Sequence, residues 1–375
     1  MSVFRLTMIP ANEGDCLILS YGASETALRH VLIDGGTTGS WKRLKPALAA
    51  IGARGEEIEL MVLSHIDGDH IDGLLKLAQD PALPLAPKAV WHNGFRQIEP
   101  FLPATGGPGL LGVPNAEKFS VALAARGWAL NTRFGGSAIT VEKQASAFAF
   151  AGLTLTLLSP GRDKLEAMAI EWKKKLGGAA LGPAGEVPLP EAGAMPGSMP
   201  GLMPGLLPLA MRPFPAVLDV EALCGPSKHD EAEANGASIA LIAEFDGKRV
   251  LLGADAHPDQ IATTLAANAG EDGRCRFDLV KLPHHGSQAN VTREVIELLD
   301  CRRFAFSTSG SKFGHPDPEA IARILKFGNA GTKTFWFNYA SDRTTPWDDP
   351  ALKAQWDYAC VFPPPGADAP TVIDI

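Results

Sequence analysis

Residues 64–73 read Ser-His-Ile-Asp-Gly-Asp-His-Ile-Asp-Gly. His65, Asp67, Asp69 and His70 place four potential metal ligands within six positions, directly after the apolar run 60–63. Carboxylates this close repel and raise each other's pKa unless a cation lies between them. A metal site is therefore the expected use of this stretch, with hydrolysis by an activated water as the chemistry it offers. The same residue types return twice, as Asp255 within Gly253-Ala254-Asp255-Ala256 and as the pair His284-His285 within Pro283-His284-His285-Gly286-Ser287.

The elements that must position these groups are legible as runs and breaks. Short apolar, β-branched runs at 3–9, 16–20 and 31–33 predict three strands in a meander, the third ending in Asp34-Gly35-Gly36. A helix over 42–52 and a strand over 60–63 lead into the ligand loop, and a second helix follows from Ile71. Strands are expected at 88–91, ending in His92, and at 153–158. Residues 238–245 and 248–252 flank Asp246-Gly247, a strong hairpin signal, and run into Asp255. A helix at 259–268 precedes a strand at 278–282 that ends at the paired histidines. A helix capped by Thr292 and a strand at 303–308 come next, and then a helix with Asp317 as N-cap and Pro318 at its first position. Strand-like pieces at 333–339 and 357–362 close the chain. Strands alternating with helices, with ligands at strand ends, predict a layered α/β fold.

The 375 residues carry a net charge of −8, with 46% hydrophobic and 20% charged residues. This is globular composition, and the acidic balance argues against a protein that grips long duplex nucleic acid through its phosphates. Five scattered cysteines form no CxxC pair, and the N-terminus has no basic-then-apolar signal, so a cytoplasmic protein is expected. The Met-Pro-Gly repeats beginning at Met195, Met199 and Met203 put proline every four residues through the most apolar stretch, which excludes a spanning helix there.

The series Gly14-Asp15-Cys16, Ile33-Asp34-Gly35-Gly36, Ser64-His65-x-Asp67-x-Asp69-His70, Asn235-x-x-Ser238, Gly253-Ala254-Asp255-Ala256, Pro283-His284-His285-Gly286-Ser287 and Gly314-His315-Pro316 resembles the metallo-β-lactamase fold. Within it, the series is most similar to the soluble domain of bacterial DNA-internalisation (competence) proteins. The resemblance implies an αββα sandwich with two divalent metal ions, Zn²⁺ or Mn²⁺, on one edge. One ion would sit on His65 and Asp67, and the other on Asp69, His70 and one of His284 and His285. Asp255 would bridge them. The sequence leaves open which of the pair ligates; His284 is nearer the strand end. Asp69 would also accept a hydrogen bond from the nucleophile. Asp34 would orient the ligands, Asn235 and Ser238 would pin the loop beneath them, and Ser287 and His315 would lie beside the substrate.

The chain departs from the family in two ways. Asp67 stands where the lactamases carry histidine, and no histidine precedes the bridging Asp255. The first ion is thus short of a ligand and its surroundings are oxygen-rich, which favours Mn²⁺ or Mg²⁺. His92 is the residue that could fill the gap.

The expected organisation is a domain over 1–330, interrupted by a low-complexity insertion at 161–230, with a C-terminal extension over 331–375 packing on it. The expected function is metal-dependent hydrolysis of phosphodiesters, as a nuclease or phosphodiesterase acting on nucleic acid or a nucleotide. Two alternatives stand beside it. One is an ester, lactone or β-lactam hydrolase of the same fold. The other is a non-catalytic metal-binding module that docks a protein partner through 192–215.

Overall fold

The computed structural model describes residues 2–102, 114–175, 213–364 and 369–375. The Met-Pro-Gly repeats, expected as an arm or docking strip, lie outside the described residues. Sixteen strands are present among those described: β1 (Val3–Met8), β2 (Leu17–Gly22), β3 (Leu28–Ile33), β4 (Glu57–Val62), β5 (Val90–Trp91), β6 (Phe148–Phe150), β7 (Leu153–Leu157), β8 (Leu241–Phe245), β9 (Lys248–Leu252), β10 (Cys275–Arg276), β11 (Leu279–Lys281), β12 (Leu299–Asp300), β13 (Arg303–Phe306), β14 (Lys333–Phe337), β15 (Tyr358–Val361) and β16 (Thr371–Asp374).

They form a six-stranded sheet of order β16-β1-β2-β3-β4-β5 and an eight-stranded sheet of order β15-β14-β13-β11-β9-β8-β7-β6, with β10 and β12 paired separately. β1, β2 and β3 make the expected antiparallel meander, and β4 joins β3 in parallel through the helix Trp41–Ala53. β8 and β9 are the hairpin turning at Asp246-Gly247. From β9 outward through β11, β13, β14 and β15 every pairing is parallel.

Side-chain alternation builds the layers. Leu19, Val31, Ile33, Leu60 and Val62 of the first sheet meet Leu155, Leu241, Val250, Leu252 and Leu279 of the second in a shared core. The residues between them point the other way. Ile18, Leu32 and Met61 pack under helices Trp41–Ala53 and Gly68–Gln79, while Ile242, Leu251 and Phe304 pack under helices Pro258–Ala267 and Pro318–Phe327. Both faces of each sheet are thus covered, which is why the strands read as unbroken apolar runs. The architecture is an αββα sandwich. No helix among the described residues is long and apolar enough to cross a membrane.

The C-terminal residues are woven into this frame. β14 and β15 extend the second sheet, and β16 pairs with β1, burying Ile373 in the shared core and placing Asp374 against Arg5 at 2.6 Å. Four residues with no flanking pattern become a strand only because β1 offers an edge. Asp317 takes the expected N-cap position of helix Pro318–Phe327, with Pro318 at its start, but its side chain makes no cap bond; the carboxylate instead accepts the Gln288 N–H at 2.8 Å.

The helix that carries Asp69 and His70 is seated by a glycine contact. Gly35 N–H donates to His70 O at 2.8 Å and Gly73 N–H to Gly36 O at 3.1 Å. A Cβ on Gly35 would lie 2.3 Å from Leu74 N and 2.6 Å from the Gly73 carbonyl carbon. Backbone cannot yield there as a side chain would. Gly35→Ala is therefore expected to cost at least the ~1–3 kcal/mol of an overpacked core and to displace Asp69 and His70. Denaturant unfolding and metal content together would register both effects.

Candidate metal centre

All candidate ligands stand at the C-terminal ends of strands. β4 ends at Val62 and delivers the 64–70 loop; β3 ends beside it and delivers Asp34. The Asp34 carboxylate, fully buried, accepts Ser64 N–H at 2.7 Å and Ser64 Oγ–H at 2.6 Å, fixing the loop as it leaves the sheet. β9 ends three residues before Asp255, and β11 runs into the 3₁₀ turn Pro283–Gly286. His284 and His285 hold φ of 45° and 56° in that turn. This is a left-handed conformation that costs a non-glycine residue roughly 1–3 kcal/mol. The turn is held by His284 N–H to Ala254 O at 2.7 Å and Asp317 N–H to Gly286 O at 3.0 Å. The strained backbone aims both imidazoles inward.

The side chains converge on one oxygen. Asp255 Oδ2 lies 3.8 Å from His65 Nε2, 3.5 Å from His70 Nε2, 3.7 Å from His284 Nε2 and 3.5 Å from His285 Nε2. Asp67 Oδ2 is 3.8 Å from His65 Nε2, and Asp69 Oδ2 is 4.0 Å from His70 Nε2 and 3.7 Å from His285 Nε2. Among the described residues four compact groups result: His65, His70 and Asp255; Asp69, His70 and His285; and two that include Asp15, one with Asp34 and His70 and one with Asp255 and His285. Two donors of one tetrahedral ion, each about 2.1 Å from it, sit about 3.4 Å apart, close to the separations found here.

The hydrogen bonds on the far side of each ring set its tautomer. His70 Nδ1 lies 2.8 Å from Asp34 Oδ2, which can only accept. His285 Nδ1 lies 2.9 Å from Ser307 O, also only an acceptor. His284 Nδ1 faces Asp230 Oδ2 at 3.0 Å and Asn290 Oδ1 at 2.9 Å. Ser64 Oγ gives its single proton to Asp34, so it must accept from His65 Nδ1 at 3.0 Å. Every Nδ1 therefore carries a proton, and every Nε2 can turn a lone pair to the centre. His65 Nε2 and Asp255 Oδ1 are buried without a hydrogen-bond partner. Four imidazole lone pairs and an unsatisfied carboxylate facing one another are a poor core but a good cradle for cations.

The electrostatics agree. Burial pushes the Asp255 carboxyl up, but His285, His70 and His284 outweigh it and hold it well below the ordinary carboxylate value. Burial pushes His285 down, but Asp255 and Asp15 carry it up to about 9. The cluster is thus an anionic spot that draws positive charge, whether protons or metal ions.

The remaining sequence candidates lie around this cluster in different ways. Asn235 donates to Asp230 Oδ2 at 2.8 Å, and Ile239 N–H donates to Ser64 O at 2.9 Å, so the 235–239 segment braces the ligand loop. Ser238 Oγ is buried without a hydrogen-bond partner. Ser287 Oγ accepts Ala289 N–H at 3.2 Å within its own turn. The His315 ring packs edge-on to His284 with centroids 5.2 Å apart. His92 is not brought into the ligand groups; it is buried against Phe119, and burial lowers its pKa to about 3.

Three participants escaped the sequence reading. Asp15 lies 3.5 Å from His285 Nδ1 and pairs with the fully buried Lys281. Its place in Gly14-Asp15-Cys16 was the available signal. Asp230 and Asn290, which hold His284, sit in no motif, and nothing local marks them.

Residues 25–136 match the family described as the Metallo-beta-lactamase superfamily. That span contains His65, Asp67, Asp69 and His70 and ends before Asp230, Asp255 and the paired histidines. No curated protein matches the chain. Among solved structures, the crystal structure of human tRNase Z, short form, aligns with 100% of this chain and 98% of its own, at 11% identity and a TM-score of 0.40. The αββα sandwich, with its candidate ligands along one edge, has the metallo-β-lactamase fold.

Proposed function

We propose that this protein is a metal-dependent hydrolase of phosphodiesters, a nuclease or nucleotide phosphodiesterase, using two divalent ions, Zn²⁺ or Mn²⁺. The observation that carries the reading is the convergence of four Nε2 atoms on Asp255 Oδ2, with Asp67 and Asp69 beside them. The likeness of the motif series to competence-protein domains supports it. Bound divalent ions supply Lewis acidity, lowering the pKa of water and offsetting charge on a scissile phosphate. The chain's own groups do the rest. Asp69, with 18% of its side chain exposed, would accept the proton of an attacking water. Asp34, Ser64 and Ser307 keep the imidazoles in register. His315, packed against His284, would contact a phosphate or leaving-group oxygen.

The rim supports the phosphodiester reading over a carboxyl ester. The loop from Ser309 to His315 is anchored by Ser309 N–H to Asn12 O at 2.6 Å, and its last residue packs on His284. It presents Phe313, 38% exposed, with Lys312 Nζ 4.7 Å from the ring centroid. An exposed ring beside an ammonium suits a nucleobase next to a phosphate. The negative net charge suits short or unpaired strands better than long duplex.

The test is hydrolysis of bis(p-nitrophenyl) phosphate and of single-stranded DNA and RNA oligonucleotides with Mn²⁺ or Zn²⁺, beside an ester, lactone and β-lactam panel. Phosphodiester turnover abolished by Asp69→Ala is expected. Turnover of lactones alone, or phosphodiester cleavage that survives Asp69→Ala unchanged, overturns the reading. Tightly held metal with no turnover of any substrate would make the protein a binding module. Phe313→Ala is expected to raise KM for oligonucleotides roughly tenfold, the loss of one stacked base at about 1–3 kcal/mol.

A further inference from the structure

The paired histidines are not equivalent. His285 Nε2 lies 3.3 Å from His70 Nε2 and 3.7 Å from Asp69 Oδ2, which makes it a member of the Asp69–His70 group. His284 stands outside that group, and its Nε2 reaches Asp255 Oδ2 at 3.7 Å. The two halves of the cluster are correspondingly unequal. The His70 half has two imidazoles and two carboxylates, counting Asp255. With His70 assigned to that half, the His65 half is left with one imidazole, Asp67 and Asp255, although His70 also lies in one compact group with His65 and Asp255.

We infer that His284 is the missing nitrogen donor of the His65 half, and that Asp230 is the positioning residue that makes it one. The inference rests on the reading of the cluster as a two-metal centre.

Asp230 is the hub of a closed hydrogen-bond network. Its Oδ2 accepts Asn235 Nδ2–H at 2.8 Å and Asn290 Nδ2–H at 3.0 Å, and receives the His284 Nδ1 proton at 3.0 Å. Its Oδ1 accepts Ala232 N–H at 3.0 Å, which locks the carboxylate to its own loop. Asn290 adds its Oδ1 to His284 Nδ1 and shares its second Nδ2 proton between Asp255 O and Ala256 O at 3.3 and 3.1 Å. The acceptor of the His284 proton is thereby tied to the backbone of the carboxylate that His284 faces. The loop is held from its other side as well. His257 Nε2–H donates to Ala232 O at 2.9 Å, and Lys164 Nζ, from helix Arg162–Lys175, lies 3.3 Å from His257 Nδ1.

The network has a function that packing alone would not need. The His284 side chain is 24% exposed, and its backbone is in a strained conformation. Without a fixed acceptor at Nδ1 the ring could turn its polar edge to water. With Asp230 in place, Nδ1 stays a donor and Nε2 stays a lone pair aimed at Asp255. This is the carboxylate–histidine arrangement that raises ligand basicity in metal sites. It also removes the need for His92, which is buried elsewhere.

The test is metal binding by the full-length protein, stripped and then titrated with Mn²⁺ by equilibrium dialysis and electron paramagnetic resonance. The parent is expected to bind two equivalents. Asp230→Asn keeps shape and removes charge, and should weaken one equivalent about 10–100-fold while leaving the other unchanged. His284→Ala should lose the same equivalent, and the double variant should be no worse than His284→Ala. Circular dichroism and the melting temperature of the metal-free variants report whether the fold persists. If Asp230→Asn fails to fold, His284→Ala carries the test alone. Two equivalents bound at parental affinity by the variants would overturn the inference and leave the hydrolase reading standing. Equal weakening of both equivalents would also overturn it, since His284 would then serve the whole centre. A parent that binds no metal would overturn both.

Discussion

Asp255→Asn should leave a folded protein that retains neither metal nor turnover. The substitution is isosteric at a buried position. It replaces the one oxygen that faces His65, His70, His284 and His285 within 3.5–3.8 Å. An amide in either orientation removes the negative charge that offsets bound cations, and its NH₂ group would point protons at imidazole lone pairs. Loss of an outer hydrogen-bond partner costs about 10–100-fold in affinity or activity, and removal of the shared carboxylate should exceed that. Elemental analysis after gel filtration, paired with turnover of bis(p-nitrophenyl) phosphate, measures both effects. A variant that kept two ions and a rate within tenfold of the parent would show that Asp255 does not hold the centre together.

Lys281→Met should be the most destabilising single change beneath the site. Lys281 is fully buried at the end of β11, and its ammonium pairs with Asp15, itself 1% exposed. Burial alone would push the Asp15 carboxyl up; Lys281 and His285 outweigh it and hold it well below the ordinary value. Removing the lysine leaves an uncompensated buried carboxylate, a loss of about 3–5 kcal/mol. The change also frees the carboxylate to pull on His285 Nδ1, 3.5 Å away, so weaker metal binding should accompany the loss of stability. Asp15→Asn combined with Lys281→Met should recover much of the stability, because no charge is then stranded. Urea unfolding of the two single variants and the double variant closes the cycle. Additive effects would mean that the pair is not coupled.

Much of the frame was legible before any tertiary contact was known, because its signals are local. The β8–β9 hairpin follows from Asp246-Gly247 between two apolar runs. The meander follows from three β-branched segments with turns between them. Helix Pro318–Phe327 follows from proline at a helix start. β16 was not legible, since a four-residue strand has no periodicity to show and exists through its pairing with β1. Asp317 stands at the N-cap as its sequence position suggests, but its side-chain partner was not legible: the carboxylate accepts Gln288 N–H, which the fold brings to 2.8 Å, and not a backbone N–H of its own helix.

The candidate site divides in the same way. The chemistry on offer was legible locally, because His65, Asp67, Asp69 and His70 are dense enough to call for a cation, and because Asp255 and His284-His285 each follow a strand. The tertiary structure alone decided how those residues share the work. It placed His285 with Asp69 and His70, set His284 apart against Asp255, and buried His92 elsewhere. It also brought in the partners that fix each ring, Asp230 from 54 residues before His284 and Asp15 from 266 residues before Lys281. The physical reason is range. Periodicity, caps and turns act over a few residues, whereas a buried proton or charge is satisfied by whichever acceptor the fold brings within about 3 Å.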